Sequence, residues 1–508
     1  MSMVINTNTA SLIAQAAQAK TNNAMETAME RLSTGKRINS ASDDAAGMAM
    51  ASRVESQIRG LSIAVRNAGD ASSLIDTAEA AMAEQSNMLQ RMRELAIQAS
   101  NGTNSVADRL AIQDEVSQLR SELDRISTTT SWAGNKLLDG SFTTKKFQVG
   151  IGATETVSMS ITAQGSADLG VFRFDSTSAV QGVTDAATIK VVTDFDVLGK
   201  DGSAEATFAA GSSAKTVAAA VNADSSTTGV TASAVTIARI SLSAVPSSTV
   251  SFNINGGGTK AAISQTVTSN TDLTTLKDAI NAAAGSTGVT ADFYGTDKSY
   301  LVLTDADGDD ILLEDFSDTL DAGTNLSVEA GNFDGTSFGS ATTVASVATA
   351  TATKNDAVIV GVVRMESTKG FTLADQEKGA GNTDTNTATE GYFGTAYGGT
   401  ASATNVSGID VATEAGARSA ISVLDGAIEA VNETRSELGA TSNRLEYTIN
   451  NLTSMVTNAG ASKSRIEDAD FAVETSNLTK AQILSQAATA MLAQANASKQ
   501  SVLSLLQG

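Results

Sequence analysis

The sequence predicts a multi-domain protein of the α plus β class. A long, coiled-coil-like helical bundle is formed by both chain ends, and a β-rich (α+β) insert occupies the centre. Three observations carry that prediction. Val54, Leu61, Ala68, Ile75, Met82, Leu89 and Ala96 recur at every seventh position, with Ile58, Val65, Ala71, Ala78, Met92 and Ala99 filling a second seam as it drifts. Near the other end Leu424, Val431, Leu438, Leu445, Leu452 and Ala459 repeat the pattern, seconded by Ile421, Ile428, Ile449 and Val456. Between them lies a Ser/Thr/Ala/Gly-rich stretch without heptads. Helices of this kind pack on helices, so the chain is expected to leave on one, build an insert and return on another, an elongated protein with its termini together.

Taken in order, residues 7–33 read as a helix of small residues with Leu12, Ala16, Ala19, Met25, Met29 and Leu32 on one stripe, ended by Gly35. Asn39-Ser40-Ala41-Ser42-Asp43-Asp44 supplies N-capping side chains, with carboxylates where a helix dipole favours them. A helix from about Asp44 to Ala99 would be about 84 Å long at ~1.5 Å per residue, too long for an ordinary globular core. Asn101-Gly102-Thr103-Asn104-Ser105 is a turn, and Ile112, Val116, Leu119, Leu123 and Ile126 mark a third amphipathic helix. Leu137-Leu138-Asp139-Gly140 then leads to alternating strands around Phe147–Gly150 and Val157–Ile161.

The middle contains a repeat. Ala220-Val221-Asn222-Ala223 and Thr228-Gly229-Val230-Thr231-Ala232 return as Ala279-Ile280-Asn281-Ala282 and Thr287-Gly288-Val289-Thr290-Ala291, each position offset by 59 residues. The unit reads as a short helix, a turn and a strand; two copies make a duplicated module and are too few for a solenoid. Helical patterning resumes near residue 412. The last run places Leu478, Ala481, Leu484, Ala488, Met491, Ala495, Val502 and Leu505 at helical spacing, with Gln482, Gln486, Gln494, Asn496 and Gln500 between. Such a helix gains little by folding alone and needs a partner.

Composition narrows function. The 508 residues include no Cys and no His, which removes thiol nucleophiles, Cys/His zinc sites, histidine bases and Ser-His-Asp triads. Nothing assembles a catalytic carboxylate or Ser/Lys pair, and no cofactor is implied. The formal charge is −22, most of it between residues 171 and 400, which argues against nucleic acid or anionic membranes as partners. Met1 to Lys20 has neither a basic n-region nor an apolar h-region, and no segment reaches 18 apolar residues, so neither a cleaved signal peptide nor membrane insertion is expected. Asp305-Ala306-Asp307-Gly308-Asp309-Asp310 alternates carboxylates, but its Gly stands fourth and no Glu stands twelfth, so an acidic hairpin turn is expected in place of a calcium loop.

Several segments at the two ends carry a shared family signature. Near the N-terminus these are Leu32-Ser33-Thr34-Gly35-Lys36-Arg37-Ile38-Asn39-Ser40-Ala41-Ser42-Asp43-Asp44-Ala45-Ala46-Gly47 and Leu89-Gln90-Arg91-Met92-Arg93-Glu94-Leu95-Ala96-Ile97-Gln98. Near the C-terminus they are Leu438-Gly439-Ala440-Thr441-Ser442-Asn443-Arg444-Leu445-Glu446, Ser464-Arg465-Ile466-Glu467-Asp468-Ala469-Asp470-Phe471, Leu478-Thr479-Lys480-Ala481-Gln482-Ile483-Leu484 and Ala490-Met491-Leu492-Ala493-Gln494-Ala495-Asn496. These segments resemble the bacterial flagellins; the likeness covers about residues 1–165 and 410–508, and the centre resembles the family's variable insert in kind only. Ala497-Ser498-Lys499 stands where the family commonly has a proline-containing segment, and Trp132 where it usually has Phe.

The resemblance implies a subunit that self-polymerises into the filament of the bacterial flagellum, outside the cell, with no enzymatic step. It implies residues 1–42 and 460–508 as terminal helices of the inner filament core, 43–170 and 403–459 as a long-helix core domain with a β-hairpin region, and 171–402 as a surface insert holding the duplicated module at about 190–250 and 250–315. Val54, Leu61, Ile75, Met82, Leu89, Leu424, Val431, Leu438, Leu445 and Leu452 are expected in helix seams; Leu12, Met29, Leu32, Leu478, Leu484, Met491, Val502 and Leu505 in the polymer core. Further partners implied are an export chaperone on the C-terminal helix, the filament cap and hook-filament junction proteins, and a host Toll-like receptor at Arg91, Leu95 and Glu115. Type III export is implied as well. The rival readings are a hook-filament junction protein, or an adhesin or enzyme displayed through the insert.

Overall fold

The computed structural model describes residues 7–181, 194–209, 211–243, 248–295, 297–319, 325–345, 356–374 and 399–506. Its helices are α1 (Thr9–Thr34), α2 (Ala45–Ala99), α3 (Val106–Thr129), α4 (Ala214–Ala223), α5 (Ser225–Thr228), α6 (Thr274–Thr287), α7 (Glu414–Glu467) and α8 (Phe471–Leu506). The starts of α1, α2 and α3 have local causes. Asn8 Oδ1 accepts from the Ser11 N–H, Asp44 Oδ1 from the N–H groups of Ala46 and Gly47, and Ser105 forms a reciprocal capping box with Asp108. Gly35 ends α1 at φ 69°, a left-handed conformation that glycine adopts without strain. α8 runs without interruption through Ala497–Lys499.

The chain divides into two compact units. The first comprises Met1–Asp76, Thr144–Ser160 and Leu438–Gly508. Here Leu61, Ala64 and Leu452 are buried together with Val65 and Val456 against them, joining α2 to α7. The hairpin of Lys145–Gln148 and Thr156–Met159 is tied to α2 by Asn67, whose Nδ2 donates to the Gln148 carbonyl at 3.0 Å. Gly60 lets that hairpin approach, since a Cβ there would meet Ile151 Cγ2 at 2.6 Å.

The second unit is Thr77–Thr143 and Ile161–Glu437. Among its described residues every strand pair is antiparallel. A five-stranded sheet has the order Ala261–Val267, Ser248–Asn255, Ile311–Asp318, Ala357–Val360, Ala179–Gln181. In the larger sheet Thr231–Leu242 lies centrally, flanked by Asp297–Asp305 and Val362–Ser367 and also pairing with Asn325–Ala330. One core gathers Phe252, Phe316, Leu276, Ile280, Leu301 and Leu303 beneath α6. Another gathers Phe195, Val217, Val221, Met365 and Phe371 beneath α4.

The two copies of the repeat share their hydrogen bonds. Asn222 exchanges two bonds with the main chain of Ala232, both 2.7 Å, and Asn281 exchanges two with Ala291, both 2.8 Å. Gly229 at φ 69° and Gly288 at φ 82° close the preceding helical turns. At Asp305–Asp310 a turn connects two strands: Asp305 Oδ1 accepts from the N–H groups of Asp307 and Gly308, while Lys215 Nζ lies 3.0 Å from both Asp307 and Asp309.

Candidate assembly surface

In the first unit α1 lies against α8, running antiparallel to it. Asn8 Nδ2 donates to the Ala495 carbonyl at 3.3 Å, the side chains of Asn22 and Ser485 are 3.4 Å apart, and Arg31 Nη1 meets Glu474 Oε1 at 3.1 Å. The face of α1 turned inward is Ser11, Ala14, Gln18, Asn22, Met25, Ala28 and Leu32, buried or half-buried. That differs from the stripe the sequence suggests, because Leu12, Ala16, Ala19 and Met29 are exposed. With Ala, Ser and Gln on all sides, α1 has little apolar contrast to fix its rotation, and α8 selects the face that packs.

Large apolar side chains are therefore left uncovered. Leu12 is 55% exposed and Leu484 48%; Ile13, Phe471, Val473 and Ile483 are exposed as well. Of the residues expected in the polymer core, Leu12, Met29, Leu484 and Met491 are exposed and Leu32 and Leu478 are half-buried. The side chains of Val502 and Leu505 lie outside the described residues. Uncovered apolar side chains thus occur along both helices of the terminal pair.

The ends of α1 and α7 meet at a shared break. Arg37 N–H donates to the Glu467 carbonyl at 2.6 Å, the Arg37 guanidinium to the Ile466 carbonyl at 2.6 Å, and Ala469 N–H to the Gly35 carbonyl at 2.9 Å. Asp470 then caps α8 by accepting from the Ala472 N–H at 2.8 Å. Lys463 pairs with Glu55, whose carboxyl is held below its ordinary range by that lysine and by Arg59.

The seam residues Leu61, Ile75, Met82, Leu89, Leu424, Val431, Leu438, Leu445 and Leu452 are buried, and Val54 is half-buried. Gln85 was missed, although the sequence holds the signal: it stands seven residues from both Ala78 and Met92, a polar side chain inside an apolar run. It is fully buried. Arg91 bonds Glu115 through Nε and Nη2 at 3.1 and 2.9 Å and Glu94 through Nη1 at 3.0 Å, all at the surface. Leu95, by contrast, is only 2% exposed, so an approaching protein meets Arg91 and Glu115 first.

Among the described residues no helix is long and apolar enough to cross a membrane, and no group of three or more acidic side chains is placed to hold a metal ion.

Comparison with known proteins adds three kinds of match. The bacterial flagellin N-terminal helical region matches residues 5–143, the bacterial flagellin C-terminal helical region 421–506, and the flagellin hook IN motif matches twice, at 194–245 and 249–307. The B-type flagellin of Pseudomonas aeruginosa is 38% identical over 511 residues, with 100% of both chains covered. The flagellin of Salmonella rubislaw is 34% identical over 534 residues, again with 100% of both covered. The solved structure of FliC from Burkholderia pseudomallei is 18% identical, covers 74% of this chain and 99% of its own, and superposes with a TM-score of 0.28.

Proposed function

This chain belongs to the bacterial flagellins, structural subunits of the extracellular flagellar filament, and we propose that the uncovered faces of α1 and α8 are the contacts that join it to its own copies. The observation carrying this is the exposure of Leu12, Ile13, Ile483, Leu484 and Met491 on the two helices that pair at the chain ends. Each subunit receives a neighbour on one surface and offers another, a heterologous contact that grows an open helical polymer. Residues 1–42 and 460–508 form the innermost layer, 43–170 and 403–459 the layer around it, and 171–402 the acidic outer surface. No covalent chemistry belongs to this function. The full-length flagellin relatives support the filament subunit over the hook-filament junction protein.

Export follows the flagellar type III route, and α8 is the segment an export chaperone covers until assembly. The filament cap and the hook-filament junction proteins receive the same terminal helices. Recognition by a host Toll-like receptor at Arg91, Leu95 and Glu115 rests on the exposed Arg91–Glu115 pair, with Leu95 acting as packing beneath it.

Leu484→Asp in the full chain tests the assembly contacts. Its side chain faces solvent in the single subunit, so monomer circular dichroism and melting should match wild type while filaments fail to form. Filaments in normal yield would remove this face of α8 from the contact.

A further inference from the structure

The described methionines range from buried to exposed, with Met25, Met48 and Met88 half-buried between the extremes. Met82, Met92 and Met365 are fully buried and Met159 nearly so, whereas Met29 on α1 is 45% exposed and Met491 on α8 64%. Met50 and Met455 are also exposed. The chain has no cysteine, so thioethers are its only sulfur. Oxidation of this protein by a peroxide at sulfur is therefore a methionine reaction, and access selects the exposed population.

The thioether sulfur attacks the O–O bond of hydrogen peroxide, an S–O bond forms as the O–O bond breaks, and the departing hydroxide takes a proton and leaves as water. Sulfur is oxidised, peroxide is reduced, and the side chain becomes a polar, chiral sulfoxide. At Met491 the preceding turns of the same helix supply Leu484, Ala487 and Ala488, which offer no side-chain donor to a sulfoxide oxygen. A neighbouring subunit that covers that oxygen with apolar side chains leaves it unpaired.

We propose that Met29 and Met491 are reversible peroxide-modification sites that decide whether a free subunit can enter the polymer. The proposal rests on the assembly surface assigned above. A thioether suits that surface because it is apolar and adaptable while reduced. Oxidised, it imposes a penalty only when the face is covered, so the folded monomer is left unchanged while assembly is blocked.

The test uses full-length monomer, brief hydrogen peroxide, peptide mass spectrometry and seeded polymerisation. Sulfoxide should form at Met29 and Met491 well before Met82, Met92 and Met365, and the critical concentration should rise by about tenfold or more. Methionine sulfoxide reductases should restore assembly. Met29→Leu/Met491→Leu, and each single change as a guard against a packing defect, should polymerise and gain peroxide resistance while Met50 and Met455 still oxidise. Wild-type subunits that carry both sulfoxides and polymerise at the untreated rate would overturn the proposal, as would a double variant that peroxide blocks equally. The underlying surface is judged separately: equal oxidation of Met29 and Met491 in filament and monomer would remove it. Protection in the filament with normal assembly of oxidised monomer would overturn this inference alone.

Discussion

Gln85 and Gln164 meet in the interior of the second unit, where Gln85 Nε2 donates to the main-chain carbonyl of Gln164 at 3.0 Å and both side chains are fully buried. Gln164 Nε2 in turn donates to the Thr434 hydroxyl at 3.3 Å, while Oε1 of each glutamine has no hydrogen-bond partner. A polar layer thus interrupts the apolar seam, the kind of feature that fixes helix register at some cost in stability. Gln85→Leu strips the Gln164 carbonyl of its donor, a loss of about 1–3 kcal/mol less the gain from removing an unpaired oxygen. The urea midpoint should fall; one at or above wild type would mean the layer does not stabilise this unit.

Leu445→Asp should both destabilise the monomer and abolish filaments. Leu445 is 1% exposed, and a carboxylate there is buried without a partner, costing more than about 3 kcal/mol. Melting separates this variant from Leu484→Asp, which should leave the monomer intact. A normal melting curve would show that the seam register on α7 has been misread.

Asn222→Ala and Asn281→Ala should act alike, because each removes two hydrogen bonds between a helix and the strand that follows it. A loss of about 1–2 kcal/mol is expected in each copy. Hydrogen exchange should rise at the Ala232 or Ala291 amide of the altered copy; unchanged protection would show that the bond is not formed in solution.

Asp305→Asn gives a pH signature. Asp305 is 2% exposed, and burial pushes its carboxyl above the ordinary value despite hydrogen bonds from main-chain N–H groups; the Asp309 carboxylate adds to the rise. A raised folded value means the ionised form weakens the fold. The penalty is full at neutral pH and fades as pH falls through the raised value toward the unfolded value of about 3.9. Asparagine keeps the acceptor and discards the charge, so the variant should be more stable at pH 7 and equal to wild type near pH 3.5. A constant difference across that range would refute the assignment.

Arg91→Ala should leave melting unchanged, because its pairs with Glu94 and Glu115 are at the surface. Signalling through the host receptor by monomer at limiting concentration should weaken. Wild-type signalling would exclude Arg91 from that contact.

Local repetition was legible without coordinates. The spacing of Leu61, Ile75, Met82 and Leu89, and of Leu424 through Leu452, defines a buried face because helical period and apolar contrast are properties of the chain alone. The duplicated module was equally readable, since identical residues at a fixed offset fold alike. The tertiary structure decided what depends on partners. It set the rotation of α1, whose small residues give no strong preference, and left Leu12 and Met29 outward. It placed Leu95 in the interior although Arg91, one turn away, reaches solvent. It joined Gln85 to Gln164 and Gly35 to Ala469, contacts whose partners are far apart in sequence. Periodicity states that a face will be covered; only the element that covers it determines which polar groups are satisfied and which apolar ones remain for a second copy.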